Sequence, residues 1–147
     1  MKTLVPALAV ALTIGAGAAA ADKKVQMKDL PGPVRKTVQA EEAKGAIIVG
    51  LATEVEGGKT MYEVETTISG HSRDLVLDAA GRIVETEEEI ALDAVPAAVK
   101  TALEARGKVG KIETVTKGTR VTYEAVVEKN GRKREVAVDA AGKAIKP

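Results

Sequence analysis

The chain of 147 residues has no cysteine, no tryptophan and no phenylalanine, and it carries one histidine and two tyrosines. Each shortage excludes something. Without thiols there can be no disulfide, no thiol nucleophile and no Cys-based metal site. Without Phe and Trp the core must be filled by Val, Ile, Leu and Ala, with Tyr62 and Tyr123 as its only large rings. The stacking platforms that hold single-stranded nucleic acid are missing as well. The lone histidine, in Gly70-His71-Ser72, supplies no His pair for a metal. It reads as an exposed turn residue, because a base needs an oriented nucleophile beside it.

Long apolar runs are also absent, except at the start. Lys2, the apolar stretch from Leu4 to Ile14 and Ala19-Ala20-Ala21 before Asp22 have the order of a secretory signal peptide. The apolar stretch falls short of the roughly 20 residues that a membrane span requires. Residues 1–21 are therefore expected to be removed on export. The mature chain from residue 22 is expected in the periplasm or outside the cell, with no membrane insertion after cleavage.

Charge is plentiful but unevenly placed. Residues 22–91 hold 9 Lys/Arg and 14 Asp/Glu, a net of −5, and residues 92–147 hold 12 Lys/Arg and 7 Asp/Glu, a net of +5. Two segments of opposite sign attract each other or a polarised partner.

Asp-Ala-Ala-Gly occurs twice, at Asp78 to Gly81 and at Asp139 to Gly142. Alternating runs precede both copies, Arg73 to Leu77 and Arg134 to Val138, and a basic residue with a short apolar pair follows each. Asp opening a turn and Gly in its left-handed position predict two β-hairpins. Other correspondences extend the pattern. Leu30-Pro31 and Val34 match Val95-Pro96 and Val99, Tyr62-Glu63 matches Tyr123-Glu124, and Gly70 matches Gly131.

Ahead of each set of strands lies an apolar stripe at helical spacing, Leu30, Val34 and Val38 in one case and Val95, Val99 and Leu103 in the other. Asp29 and Asp93 are the expected caps, Gly45 the expected stop of the first helix, and Gly107 and Gly110 those of the second. The reading is an α+β chain of two tandem units, residues 22–91 and 92–147. Each is expected to be an N-terminal helix packed on a four-stranded antiparallel β-meander.

An exported chain with tandem Leu/Val-Pro-x-x-Val helices, Tyr-Glu strands and Asp-x-x-Gly hairpins resembles the PepSY-like domain proteins. The nearest group is the one described as similar to β-lactamase-inhibitor proteins. The resemblance spans nearly all of residues 25–147, on short and structural motifs. It implies a helix-plus-sheet fold, a periplasmic or secreted location and a protein-binding or inhibitory role toward secreted hydrolases, proteases among them. It carries over no catalytic residue.

No nucleophile–base set, phosphate loop or dinucleotide pattern is present, so no catalytic, cofactor-binding or metal-ligating residue is assigned and the chain is not read as an enzyme. The acidic run Glu85, Glu87, Glu88, Glu89 lacks the spaced loop of an EF-hand and reads as a solvated strand end or a linker between the units. Arg132, Lys133 and Arg134 flank Asn130-Gly131 and read as a solvated hairpin or a guarded sheet edge. Export argues against nucleic acid as a partner for these charges. Together with Glu87, Glu88 and Glu89 they form the candidate interaction surface, with another envelope or secreted protein as partner and no cofactor. The alternative is an envelope protein that binds a small ligand or metal ion through the acidic run or a pocket.

Overall fold

A computed structural model describes residues 23–145. The expected signal peptide lies outside the described residues. In chain order the strands are β1 (Lys23–Lys24), β2 (Ile47–Glu56), β3 (Lys59–Ile68), β4 (His71–Leu77), β5 (Ile83–Glu89), β6 (Lys108–Lys117), β7 (Arg120–Lys129), β8 (Arg132–Asp139) and β9 (Ala144–Ile145). The helices are α1 (Gly32–Ala43), between β1 and β2, and α2 (Ala97–Glu104), between β5 and β6.

These strands form one antiparallel sheet in which strand order equals chain order. That corrects the expectation of two tandem helix-plus-four-strand units. The described residues are mostly β, 54% strand with two short helices, in a single nine-stranded sheet. The physical reason is the ladder between β5 and β6, which runs from Glu85↔Lys117 to Glu89↔Glu113 and continues the sheet past the expected boundary at residue 91. The short strands β1 and β9 then lengthen the sheet at either side.

Local sequence explains the hairpins. Asp78 accepts hydrogen bonds from the backbone N–H of Ala80 and of Arg82, each at 3.0 Å. Asp139 accepts them from Ala141 and Lys143 at 3.0 and 2.9 Å. Asn130 and Gly131 both take positive φ, 54° and 71°, as a two-residue turn between twisted strands demands.

Both helices lie on one face of the sheet. Val34 and Val38 of α1 pack with Val64, Leu75 and Leu77, and Val99 and Leu103 of α2 pack with Ile112, Tyr123, Ala125 and Val138. Burying each such aliphatic side chain contributes about 1.5–3 kcal/mol. The expected caps behave differently. Asp29 and Asp93 sit in single 3-10 turns upstream, and Pro31 and Pro96 occupy the N-cap positions. Proline there sets φ for the turn into the helix without wasting an N–H.

The two Asp-Ala-Ala-Gly turns also meet the helices. A Cβ on Gly81 would stand 2.5 Å from the Pro33 carbonyl oxygen, and one on Gly142 would collide with the Ala98 carbonyl oxygen. Glycine therefore lets each turn touch helix backbone directly.

Candidate functional site

The sheet face away from the helices is acidic by construction. Alternation turns Val64, Leu75, Ile112 and Tyr123 toward the helices, and their strand neighbours toward the other side. Those neighbours include Glu63 and Glu65 on β3, Asp74 on β4 and Glu85, Glu87 and Glu89 on β5. Glu113 on β6, Glu124 on β7 and Glu135 on β8 continue the series. No helix among the described residues covers this face.

Register brings several of these carboxylates together. Cross-strand pairing sets Glu65 against Asp74, Asp74 against Glu87, and Glu113 against Glu124. Asp74, Glu87 and Glu113 each hold one oxygen within 4.8 Å of the others. Lys111 reaches Glu113 (Nζ to Oε1, 2.5 Å), and Lys117 reaches Glu85 (Nζ to Oε2, 2.7 Å). Asp74 also accepts a hydrogen bond from the Thr66 backbone N–H at 3.1 Å.

Although uncovered by a helix, the face is partly dry. Glu85, Val115, Thr122, Glu124 and Ala137 are all buried. Neighbouring side chains crowd one another on a sheet that carries bulges in the β2–β3, β4–β5 and β6–β7 ladders, and bulges sharpen twist. Glu124 is only 7% exposed, and among the described residues no hydrogen bond or ion pair holds its carboxylate, whose oxygens keep contact with solvent. Lys117 is the cation that acts on it, electrostatically rather than in an ion pair.

This crowding shows in the acid–base chemistry. Burial, reinforced by Glu113, Glu85, Glu124 and Asp74, pushes Glu87 up to about 8. Burial, reinforced by Glu135, Glu85 and Glu113, pushes Glu124 up to about 7. Asp74 is raised by burial and by the Glu113 and Glu65 charges, against the Thr66 hydrogen bond. At neutral pH this cluster holds protons that ordinary carboxylates would have released. It can hold a proton, a hard cation or a basic group from a partner.

The candidate interaction residues fall in different places. Glu87 lies in the cluster. Glu89 is on the same face and accepts hydrogen bonds from Ser72 N–H and Oγ at 3.4 and 3.3 Å. Glu88 points to the helix side, opposite Arg73. Arg132, Lys133 and Arg134 are exposed on β8, separated from β5 by β6 and β7. Only Ala137 and Val138 of β8 pair with β9, so the basic residues stand on an unpaired edge among the described residues. His71 is exposed at the first position of β4. Reasoning from sequence missed Asp74, Glu113 and Glu124. The signal was the period-two placement of carboxylates on the polar side of successive strands.

No protein-family model matches the chain, and no curated protein does. Solved structures do. A Bacteroides eggerthii protein provisionally assigned to the periplasm matches with a TM-score of 0.64 at 19% identity, over 80% of this chain and 86% of that one. A DUF2874 family protein from Bacteroides ovatus gives 0.60 at 19%, over 80% and 85%. A BLIP-like protein from Bacteroides fragilis gives 0.56 at 18%, over 81% and 87%. At these identities the likeness is one of fold. The BLIP-like neighbour agrees loosely with the inhibitor-like side of the resemblance, and nothing in the matches speaks to its PepSY side.

Proposed function

We propose that the chain is an exported, non-catalytic module that binds another protein across the acidic face of its sheet. The carrying observation is the face itself: a broad surface left open by both helices, lined with carboxylates more numerous than the lysines beside them. A partner presenting Lys or Arg would supply the missing charge, steer the encounter and fix its register. Export is supported by the signal-like order of residues 1–21 and by the periplasmic assignment of one structural neighbour. No helix of the described residues is long and apolar enough to cross a membrane. A narrower reading, in which the partner is a secreted or periplasmic hydrolase held in check, has the support of analogy to the BLIP-like neighbour.

The test is capture from a periplasmic extract on immobilised chain at low and at high salt, beside a variant with Glu63, Glu65 and Glu89 changed to Gln. The expected result is a partner retained at low salt, released at high salt and lost by the variant. A partner that the variant retains equally well overturns the assignment of the face.

A further inference from the structure

The outer edge of β8 carries open backbone and unpaired charge in the same place. Among the described residues, β9 covers only Ala137 and Val138 of this strand. Antiparallel ladders use alternate residues on the two sides of a strand. Asp139 turns its N–H outward, to the Lys143 carbonyl at 2.9 Å, and the pairing of β8 with β7 runs unbroken back to Arg132. Glu135 and Lys133 share that parity, so their backbone N–H and C=O point away from β7, where no described strand meets them. The side chains sort with equal regularity. Arg132, Arg134 and Val136 lie opposite Lys129, Val127 and Ala125, which puts all three on the helix side, and Val136 packs against the core there. Arg134 donates to the Arg106 carbonyl at 3.3 Å, just past the end of α2. Arg132, Lys133 and Arg134 are exposed, and none of them enters an ion pair among the described residues.

We propose that the stretch of β8 from Arg132 to Val136 is a docking edge for an extended acidic segment of a partner protein, which adds to the sheet as a further antiparallel strand. Strand addition draws its affinity from main-chain hydrogen bonds and its specificity from alternate side chains. Here the outward groups of Lys133 and Glu135 supply the main-chain bonds. Charge selects the occupant. A second copy of this edge would set like charges against each other, whereas an acidic strand brings the counter-charge that Arg132 and Arg134 lack. Register then dictates a pattern. Running antiparallel to β8, the segment places an apolar residue beside Val136, an acidic one two positions later beside Arg134, and another two beyond that beside Arg132. This edge is separated from the acidic face around Glu87 by β6 and β7, so it serves a different part of the partner.

The experiment is fluorescence anisotropy of a dye-labelled, end-capped peptide of the pattern Val-Thr-Glu-Thr-Glu, titrated with the full chain at low and at physiological salt. Saturable binding that weakens with salt is expected. Changing Arg132 and Arg134 together to Glu should weaken it at least tenfold, while changing Glu63, Glu65 and Glu89 to Gln on the acidic face should not weaken it. Backbone pairing is tested on the peptide, which leaves the protein's folding untouched. The threonines stand opposite Lys133 and Glu135, so their amides face β8 and N-methylation there should weaken binding at least tenfold. The glutamate amides face away, and N-methylation there should leave affinity within about twofold. No saturable binding up to about 1 mM peptide at low salt would overturn the docking edge. Equal affinity for the parent peptide and the peptide N-methylated at threonine would overturn it too, because charge alone would then account for the binding.

Discussion

Arg73 on β4 reaches across to Glu41 on α1, placing Nη1 2.7 Å from Oε2. Lys44 holds the other oxygen at 2.8 Å, so the buried carboxylate is fully engaged. Burial alone would push Glu41 upward. Hydrogen bonds and charge from Lys44 and Arg73 outweigh it and leave the carboxyl below its usual range.

Glu41→Ala is therefore expected to destabilise the fold by about 2 kcal/mol, less than for a fully dry pair because Arg73 and Lys44 keep contact with water. Because the folded value is depressed, this contribution is present above the unfolded value of 4.5 and is lost as pH falls through the folded one. Urea melts at neutral pH and in acid, on wild type and variant, would show the difference between them shrinking in acid.

Glycine substitutions should separate contact from conformation. Gly118 has φ +59° with open space around it, so Gly118→Ala should cost only the left-handed backbone term, about 1–2 kcal/mol. Gly81→Ala and Gly142→Ala meet the carbonyls of Pro33 and Ala98 as well, and each should cost at least about twice as much. Thermal unfolding of the three variants gives the ranking directly.

The open face makes stability fall with rising pH. Glu87 and Glu124 have folded values raised to about 8 and about 7 from 4.5. Such groups stabilise fully below the unfolded value, and the benefit is lost as pH rises through the folded one. In the absence of divalent cations, the melting temperature should drop by several degrees between about pH 5.5 and about pH 8.5. Glu87→Gln and Glu124→Gln should each flatten that slope and raise the melting temperature at the alkaline end. A profile that rises with pH across this window would contradict the crowding.

Among the described residues, the stretch of β8 ahead of Ala137 is paired only with β7, so its other edge offers backbone donors and acceptors to any strand that approaches, and its basic side chains discourage another copy. Replacing Arg132 and Arg134 with Val should produce concentration-dependent association visible by gel filtration at physiological salt. A monomeric double variant would remove the guarding role from these residues.

Much of this was legible in the chain because it is local. The Asp78 and Asp139 turns, the Asn130-Gly131 hairpin and the buried stripes of Val34, Val38, Val99 and Leu103 depend on neighbours a few residues away. The ladder between β5 and β6 was not legible. It joins Glu85–Glu89 to Glu113–Lys117 around an intervening helix, and no short pattern records which strand pairs across such a gap. The acidic site was hidden for the same reason. Glu87 stood out in a run of like charge, but Asp74, Glu113 and Glu124 became its neighbours only through register. The run itself misled, because alternation sends Glu88 to the helix side and its companions to the other.

Strand order identical to chain order has a kinetic consequence. Every strand closes on one already laid down, and the largest excursions between partners are the segments that carry α1 and α2. Loop-closure entropy is thus small at nearly every step, which places this sheet toward the fast end for its class. A chain that must assemble without disulfides gains from that order, because each hairpin shelters its apolar side chains soon after it forms, before exposed strand edges can find one another.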